Sequence, residues 1–278
     1  MEKINFVFFG TPDVAAETLE ILKKAGHIPS LIVTAPDRPA GRNLVLTPPP
    51  VKIWSKENNI PFLQPEKLDA DFISEIRKNN FDICIVTAYG KIMPEDLINA
   101  PRLGSLNIHY SLLPKYRGAS PVESAILHGD RETGVSIQKM IYKMDAGDII
   151  AEEKITIGTD ETTPELRKRL ITLGGQLLVR TLPDYITGKL APQKQDENLA
   201  THCGKIKKED GLIVPDVGRP EELYNKFRAY YAWPRIYFIK DDKRIIITDA
   251  ALEDGKFIIK KVIPEGKKEM DYSVFISR

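Results

Sequence analysis

Residues 82–88 read Asp-Ile-Cys-Ile-Val-Thr-Ala (DICIVTA), a short and nearly continuous apolar run. Such a run is typical of a strand that is buried on both faces, as in the middle of a parallel sheet. Similar runs lie on either side of it, separated by stretches with apolar residues at helical spacing. The predicted strands are 5–9, 30–35, 61–63, 82–88 and 104–110, and the predicted helices are 12–26, one ending at 55–59, and 71–79. This alternation predicts a doubly wound α/β domain with a largely parallel sheet.

The rest of the chain divides into an extension of this domain, a linker and a small β-rich domain. The extension is predicted to hold a helix at 121–127, strands at 133–140 and 148–157, and a long helix at 163–185. Residues 191–199 (APQKQDENL) are polar and lack periodicity, as in a linker. A helix at 221–230 and short β-rich runs at 236–239, 244–248 and 256–262 follow. We therefore predict a first domain at 1–189, a linker at 190–203 and a second domain at 204–278.

The composition is that of an ordinary globular protein. The 278 residues are 42% hydrophobic and 28% charged, which suffices for a sizeable core and about two domains. Forty Lys and Arg against 39 Asp and Glu give a net charge of +1, which argues against a general polyanion binder but allows a local basic patch. The sequence contains neither an 18-residue apolar run nor a signal peptide, so we expect a cytoplasmic protein without membrane contact.

The cysteines and histidines do not indicate a disulfide framework or a metal site. Cys84 and Cys203 lie far apart in the sequence, and Cys84 belongs to an apolar strand, where we interpret it as a small core residue. The histidines lack the spacing of metal ligands, and they are His27, His109, His128 and His202.

The turn after the first strand reads Gly10-Thr11-Pro12. A dinucleotide-binding turn needs the pattern GxGxxG, in which glycines let the backbone approach a pyrophosphate. Only one glycine of that pattern is present, and Pro12 removes a backbone N–H. We therefore expect a tight turn with proline at the start of a helix rather than a nucleotide site.

The most informative segment for chemistry is residues 107–118 (NIHYSLLPKYRG). Asn107 and His109 are two residues apart on a predicted strand, so their side chains project to the same side. The carboxyl ends of strands in an open α/β sheet are where ligands bind. There an amide can donate to a developing oxyanion while an imidazole moves a proton. The alternative, a core histidine with satisfied hydrogen bonds, remains open for His109 taken alone.

A second segment, residues 144–148 (MDAGD), places Asp145 and Asp148 at a glycine-containing turn between two predicted strands. A solvated turn is the simpler interpretation. A carboxylate is also the natural third member beside Asn107 and His109, since it could orient the imidazole. The sequence leaves open whether these groups meet.

A third segment, residues 36–50, is a proline-rich stretch directly after a strand. We interpret it as a long loop without regular structure, and such loops in compact domains are usually functional. Its arginines, Arg38 and Arg42, suit contacts to phosphate or carboxylate groups. A solvated surface loop is the alternative.

Together these segments resemble the methionyl-tRNA formyltransferase family. The resemblance extends over essentially the whole chain, and residues 107–118 are specific for enzymes that use 10-formyltetrahydrofolate. The motifs are FGTP at 9–12, PDRPAGR at 36–42, PPPVK at 48–52, AYGKIMP at 88–94, NIHYSLLPKYRGASPV at 107–122, MDAGD at 144–148, GKIKKEDG at 204–211 and VIPEGKKEM at 262–270.

The resemblance implies transfer of a formyl group from 10-formyltetrahydrofolate to the α-amine of methionine on initiator tRNA, without a metal. It implies that Asn107, His109 and Asp145 form the catalytic trio. It further implies that folate binds along the turn at 111–114 and that the pterin lies near the 88–93 and 140–145 loops, largely against backbone groups. The folate-binding candidates are Ser111, Leu112, Leu113, Pro114, Tyr89, Gly90 and Ile92.

The family fold implied for this chain is a Rossmann-like formyltransferase domain followed by a C-terminal domain related to the OB barrel. Residues implied to contact tRNA are Arg38, Arg42, Lys205, Lys207 and Lys208. Two departures stand out. Asn43, Leu44 and Val45 follow Arg42, where the family often has further basic residues. The second domain is shorter than the family barrel, which leads us to expect one or two strands fewer. No obligate protein partner is implied.

Three other functions compete with this one. A related formyltransferase would act on a nucleotide-sugar amine or on glycinamide ribonucleotide, but such enzymes usually lack the PDRPxGR loop. A hydrolase of formyl-folate would use water in place of the amine with the same trio. A non-enzymatic RNA-binding protein would not need Asn107, His109 and Asp145.

Overall fold

The structure is a computed structural model that describes residues 4–41, 44–215 and 218–277. The chain forms two compact units. The first comprises residues 1–117, 134–153 and 170–200, and the second comprises residues 118–133, 154–169 and 201–278.

The strands and helices follow one another in the alternation expected from the sequence. The strands are β1 (Phe6–Gly10), β2 (Leu31–Val33), β3 (Arg38–Ala40), β4 (Val45–Thr47), β5 (Phe62–Leu63), β6 (Ile83–Thr87), β7 (Ser105–His109), β8 (Arg117–Gly118), β9 (Glu132–Lys139), β10 (Ile149–Thr156), β11 (His202–Cys203), β12 (Tyr237–Lys240), β13 (Lys243–Glu253), β14 (Lys256–Pro264) and β15 (Met270–Asp271). The helices are α1 (Asp13–Lys24), α2 (Pro50–Glu57), α3 (Ala70–Lys78), α4 (Glu95–Ile98), α5 (Pro121–Leu127), α6 (Thr163–Ile186), α7 (Pro220–Ala229) and α8 (Tyr272–Ile276).

The first unit is built on a seven-stranded sheet with the order β10-β9-β7-β6-β1-β2-β5. Five neighbouring strands of this sheet, β7, β6, β1, β2 and β5, run parallel to one another. Strand β9 is antiparallel to β7. Every residue of β1 and β6 is buried, because these apolar strands lie in the middle of the sheet. The predicted α/β class with a largely parallel sheet is therefore confirmed. Cys84 is a buried core residue of β6, as expected, and burial raises the pKa of its thiol to about 12.

Gly10 ends β1 where the chain turns into α1. A Cβ atom at this position would lie 2.6 Å from Ala15 Cβ and 2.7 Å from Phe8 Cε1. Glycine is therefore needed for close packing of the turn, in agreement with the expected tight turn.

The expectation of an irregular loop at 36–50 is wrong. Its described residues contain an antiparallel hairpin in which Arg38 of β3 faces Thr47 of β4, and α2 begins at Pro50. Asp37, at the base of the hairpin, accepts hydrogen bonds from Lys52 Nζ and Gln64 Nε2. These hydrogen bonds lower the pKa of the Asp37 carboxyl, and the bond from Gln64 has the largest effect. The prolines of this stretch argued against a strand in the sequence. Pro39 is nevertheless compatible with a strand at an edge, where its missing N–H is not needed.

The second unit contains a four-stranded antiparallel sheet with the order β12-β13-β14-β15. The predicted small β-rich character is thus observed. β13 extends beyond the predicted strand at 244–248. Its pairing with β14 shifts register near Asp249 and then continues to Glu253. Arg228 is buried and donates hydrogen bonds to the carbonyl oxygens of Gly158 and Glu161. Arg228 thereby ties α7 to residues that precede α6 in the chain.

Across the ranges 4–41, 44–215 and 218–277, no helix has both the length and the apolar character needed to cross a bilayer.

Candidate active site

The carboxyl end of β7 carries Asn107 and His109, as the sequence analysis expected. Asn107 is opposite Gln138 of β9, and His109 is opposite Ser136. The side chain of Asn107 is half-buried, and no hydrogen-bond partner for its amide is found among the described residues. An amide at a strand end with free donors is able to bind an incoming oxygen atom.

His109 is only 5% exposed, and both of its ring nitrogens have neighbours. Nε2 lies 2.9 Å from the carbonyl oxygen of Tyr116, and a carbonyl can only accept, so Nε2 carries a proton. Nδ1 lies 3.7 Å from Asp145 Oδ2, a distance longer than a hydrogen bond but within ion-pair range. Nδ1 is therefore the nitrogen that can gain or lose a proton beside a carboxylate.

Asp145 is held by a residue that the sequence analysis did not select. Its Oδ1 accepts a hydrogen bond of 2.9 Å from Nε2 of Gln138, which is itself buried. Asp145 also has a positive φ of 50°, which is uncommon for a residue with a Cβ. The structure thus brings Asn107, His109 and Asp145 to one place. A polar side chain at a buried strand position was the one signal that could have identified Gln138 from the sequence.

The turn at 111–114 is pinned to β9 by Ser136, another residue that the sequence analysis missed. Ser136 Oγ accepts from the Leu113 N–H at 2.9 Å and lies 2.7 Å from the Ser111 carbonyl oxygen. It also lies 2.6 Å from Oε1 of Glu152. Ser111 and Leu113 are buried, whereas Leu112 and Pro114 are half-buried. The turn therefore has a defined shape before any ligand binds.

The 88–93 loop directs different side chains inward and outward. Tyr89 packs edge-on against Phe9, and burial raises the pKa of its phenol to about 12. Its carbonyl oxygen accepts a hydrogen bond from Thr11. Gly90 is exposed with a φ of 82°, and Ile92 is 72% exposed. Any ligand contact of Tyr89 would therefore use its backbone, while Ile92 presents an apolar side chain.

The 140–147 loop lies beside the 88–93 loop. Met140 packs against the buried cluster that contains Tyr89 and Met93. Further along this loop the apolar side chains are exposed, namely Ile141, Tyr142 and Met144. Exposed apolar groups on adjacent loops are typical of a surface that a partly apolar ligand covers.

The basic residues expected to contact tRNA have different standing in the structure. Arg38 is exposed on β3, while Arg42 lies outside the described residues. Lys205, Lys207 and Lys208 are all exposed in the second unit, and within the described ranges none of them forms an ion pair. Exposed lysines are available to phosphate groups.

Within the described part of the chain, no three His, Cys, Asp or Glu side chains are grouped so as to hold a metal ion. The groups that the site does provide are an amide donor, an imidazole and a carboxylate. Such a set can stabilise negative charge on an oxygen and transfer a proton, as acyl-group transfer requires.

Residues 2–182 match the family model described as "Formyl transferase", so the chain is a member of the formyl transferases. The chain is 40% identical to a methionyl-tRNA formyltransferase from Geobacter metallireducens, over 92% of this chain and 83% of the relative. It is 36% identical to one from Citrifermentans bemidjiense, over 100% and 94%. The chain belongs to the methionyl-tRNA formyltransferase family.

Solved structures support the fold. An N-formyltransferase from Helicobacter canadensis, in complex with folinic acid and dTDP-3-aminofucose, matches with a TM-score of 0.66 at 17% identity, covering 90% of this chain and 89% of that chain. A 4-N formyltransferase from Francisella tularensis matches with a TM-score of 0.68 at 18% identity, covering 92% and 96%. At these identities the likeness is one of fold.

Proposed function

We propose that this chain transfers a formyl group from 10-formyltetrahydrofolate to the α-amine of methionyl-initiator tRNA. The carrying observation is the contact between His109 Nδ1 and the Asp145 carboxylate, with Asn107 two residues from His109 on the same strand and its amide without a hydrogen-bond partner among the described residues. Family membership supports both the donor and the acceptor.

Each residue of the trio has a distinct role in this proposal. Bound 10-formyltetrahydrofolate would supply the formyl group. The folate nitrogen that releases the formyl group would take up a proton in its place. Asn107 donates a hydrogen bond to the formyl oxygen, on which negative charge develops. His109 takes the proton that the attacking amine releases and returns it on the leaving side, so no net proton is consumed. Asp145 orients the imidazole and balances its positive charge.

The residues near the trio suit a folate. The turn at 111–114 is preformed by Ser136, and adjacent loops expose Ile92, Tyr142 and Met144. A pterin is flat and carries many hydrogen-bonding groups, so backbone groups with apolar neighbours fit it. We propose that the turn and the 88–93 loop hold the folate.

The tRNA contacts that we propose come from both units. Arg38 and Arg42 would face the acceptor end, and Lys205, Lys207 and Lys208 would bind phosphates. In this proposal residues 1–189 carry out catalysis, 190–203 form a linker, and the OB-like residues 204–278 contribute to tRNA binding. An aminoacyl-tRNA substrate places the protein in the cytoplasm.

The decisive test offers three acceptors to the purified protein with 10-formyltetrahydrofolate. They are initiator methionyl-tRNA, elongator methionyl-tRNA and a nucleotide-linked amino sugar, and the readout is the formylated product. We expect formylation of the initiator tRNA and little of the other two. Transfer to the amino sugar alone, or to no acceptor, would contradict the proposal.

Replacing Ser136 by alanine is expected to weaken folate binding. The change removes the Ser136 hydroxyl from the Leu113 N–H and the Ser111 carbonyl, and losing a hydrogen bond to a buried group costs about 1–3 kcal/mol. We expect the Kd for 10-formyltetrahydrofolate to rise by about fivefold, the equivalent of roughly 1 kcal/mol. Titration calorimetry and thermal unfolding measure the two effects.

Ser55→Ala is the matched control, because Ser55 is also a buried serine that donates to a backbone carbonyl, that of Ile60. This variant should lose stability while its folate affinity stays unchanged. Equal folate affinity in the Ser136→Ala variant and the wild type would refute a role for the turn in folate binding.

A further inference from the structure

Arg117 is 1% exposed, and its charge is paired inside the first unit. Its Nε and Nη2 atoms donate to Oε1 of Gln195 at 3.0 and 2.8 Å. Its Nη1 and Nη2 atoms donate to the two carboxylate oxygens of Glu197 at 3.1 and 2.9 Å. Hydrogen bonds from Arg117, and after it from Lys143, lower the pKa of the Glu197 carboxyl to about 2, so this carboxyl stays ionised at neutral pH. A buried arginine with this many partners is fixed in one position.

Gln195 connects Arg117 to the loop that carries Asp145. Its Nε2 atom donates to the carbonyl oxygen of Asp145 at 2.9 Å and to that of Gly147 at 2.6 Å. Lys143, on the same loop, forms an ion pair of 2.9 Å with Glu197. We call Arg117, Gln195 and Glu197 the brace. The brace therefore holds the 140–147 loop through two backbone carbonyls and Lys143, whereas Gln138 holds the Asp145 carboxylate.

The backbone of this loop requires support. Asp145 has a φ of 50°, and a conformation that is unfavourable for a side-chain-bearing residue persists only where its surroundings impose it. A Cβ atom at Gly147 would lie 1.8 Å from the Lys139 carbonyl oxygen, so the loop is folded tightly against the end of β9. The two carbonyl oxygens held by Gln195 stand within this strained segment.

The brace also reaches the other side of His109. Tyr116, directly before Arg117, has a φ of 58°, and its carbonyl oxygen binds His109 Nε2. Both neighbours of the imidazole, the Tyr116 carbonyl and the Asp145 carboxylate, thus belong to left-handed residues next to a brace contact.

We propose that Arg117 and Gln195 are positioning residues for formyl transfer, which hold the 140–147 loop so that Asp145 faces His109. This inference rests on the proposed function for the reaction that is measured, but it does not depend on which amine accepts the formyl group. Neither residue needs to touch a substrate.

Gln195→Glu keeps the contact of this residue to Arg117 and removes its contacts to the 140–147 loop. A glutamate still accepts hydrogen bonds from Arg117 but places an oxygen where Nε2 donated to the Asp145 and Gly147 carbonyls. We expect kcat to fall about tenfold or more, because small displacements of catalytic groups have large effects on rate. The Kd for folate and the KM for tRNA should change by less than about threefold, since no substrate contact is lost.

Gln193→Glu is the matched control. It makes the same chemical change two residues away, on an exposed side chain for which the described residues show no hydrogen bond. The backbone of Gln193 pairs with Ile149, and the substitution leaves that pairing intact. Wild-type kcat is expected for this variant.

Two further measurements distinguish positioning from a loss of folding. Amide hydrogen exchange of residues 140–147 should accelerate in Gln195→Glu, while exchange in β6 stays slow. In an Asp145→Asn background, Gln195→Glu should add little to the loss of rate, because both changes act through one group. Arg117→Lys should restore part of the activity that Arg117→Ala loses, if both variants fold.

The outcomes separate the two proposals. A wild-type protein that formylates no tRNA contradicts the proposed function, and the brace can then be tested by hydrogen exchange alone. An active wild type whose rate loss in Gln195→Glu adds fully to that of Asp145→Asn overturns the brace, as does unchanged exchange of the 140–147 loop.

Discussion

Replacing His109 by alanine is expected to lower the rate of formyl transfer by about 10²–10⁴-fold, the usual contribution of general acid–base catalysis. The Tyr116 carbonyl oxygen binds His109 Nε2, and the Asp145 carboxylate faces Nδ1. The variant removes the imidazole that these two contacts position for proton transfer. Single-turnover formylation of initiator methionyl-tRNA measures the effect. Affinity for 10-formyltetrahydrofolate should change far less than the rate.

The control for this prediction is His27→Ala. His27 follows α1, and burial lowers the pKa of its imidazole, yet it has no part in the proposed site. Its replacement should leave the rate at the wild-type value. Formyl transfer at the wild-type rate by His109→Ala would show that another group moves the proton.

Replacing Asn107 by alanine is expected to reduce kcat by about 10²–10³-fold, as loss of one oxyanion donor does in other acyl-transfer enzymes. The amide has no partner among the described residues, so its removal leaves no buried group unsatisfied and the fold should be retained. Asn107→Asp should be equally impaired, because a carboxylate has no N–H to donate and repels a developing negative charge.

Both Asn107 variants are measured against Asn99→Ala, which changes an exposed asparagine at the end of α4. Thermal unfolding should give similar midpoints for Asn107→Ala and the wild type. A kcat for Asn107→Ala within about twofold of wild type would remove Asn107 from the proposed oxyanion site.

Much of the fold could be predicted because its signals are local. The apolar runs at β1 and β6 indicated buried parallel strands, and α5 begins and ends where the sequence placed it. The long helix predicted at 163–185 is observed as α6, and its residues Leu166, Leu170 and Leu178, which recur at helical spacing, are fully buried. The hairpin of β3 and β4 was not predicted, since three-residue strands with proline carry almost no periodic signal.

The sequence by itself determined the strand that carries the site. Alternation along β7 puts Asn107 and His109 on one side, and this depends only on the two-residue repeat of a strand. It also supplied Asp145 as a candidate, without establishing that the carboxylate reaches the imidazole.

Only the tertiary structure decided how Asp145 meets His109. The contacts that place it join residues far apart in the chain: Asp145 and Gln195 are separated by 50 in residue number, and Gln195 and Arg117 by 78. No local pattern marks Gln195 within a polar linker as a partner of the Asp145 backbone carbonyl, or Gln138 within a strand as a partner of the Asp145 carboxylate. Such contacts depend on the path of the whole chain, because a hydrogen bond forms only where folding brings donor and acceptor together.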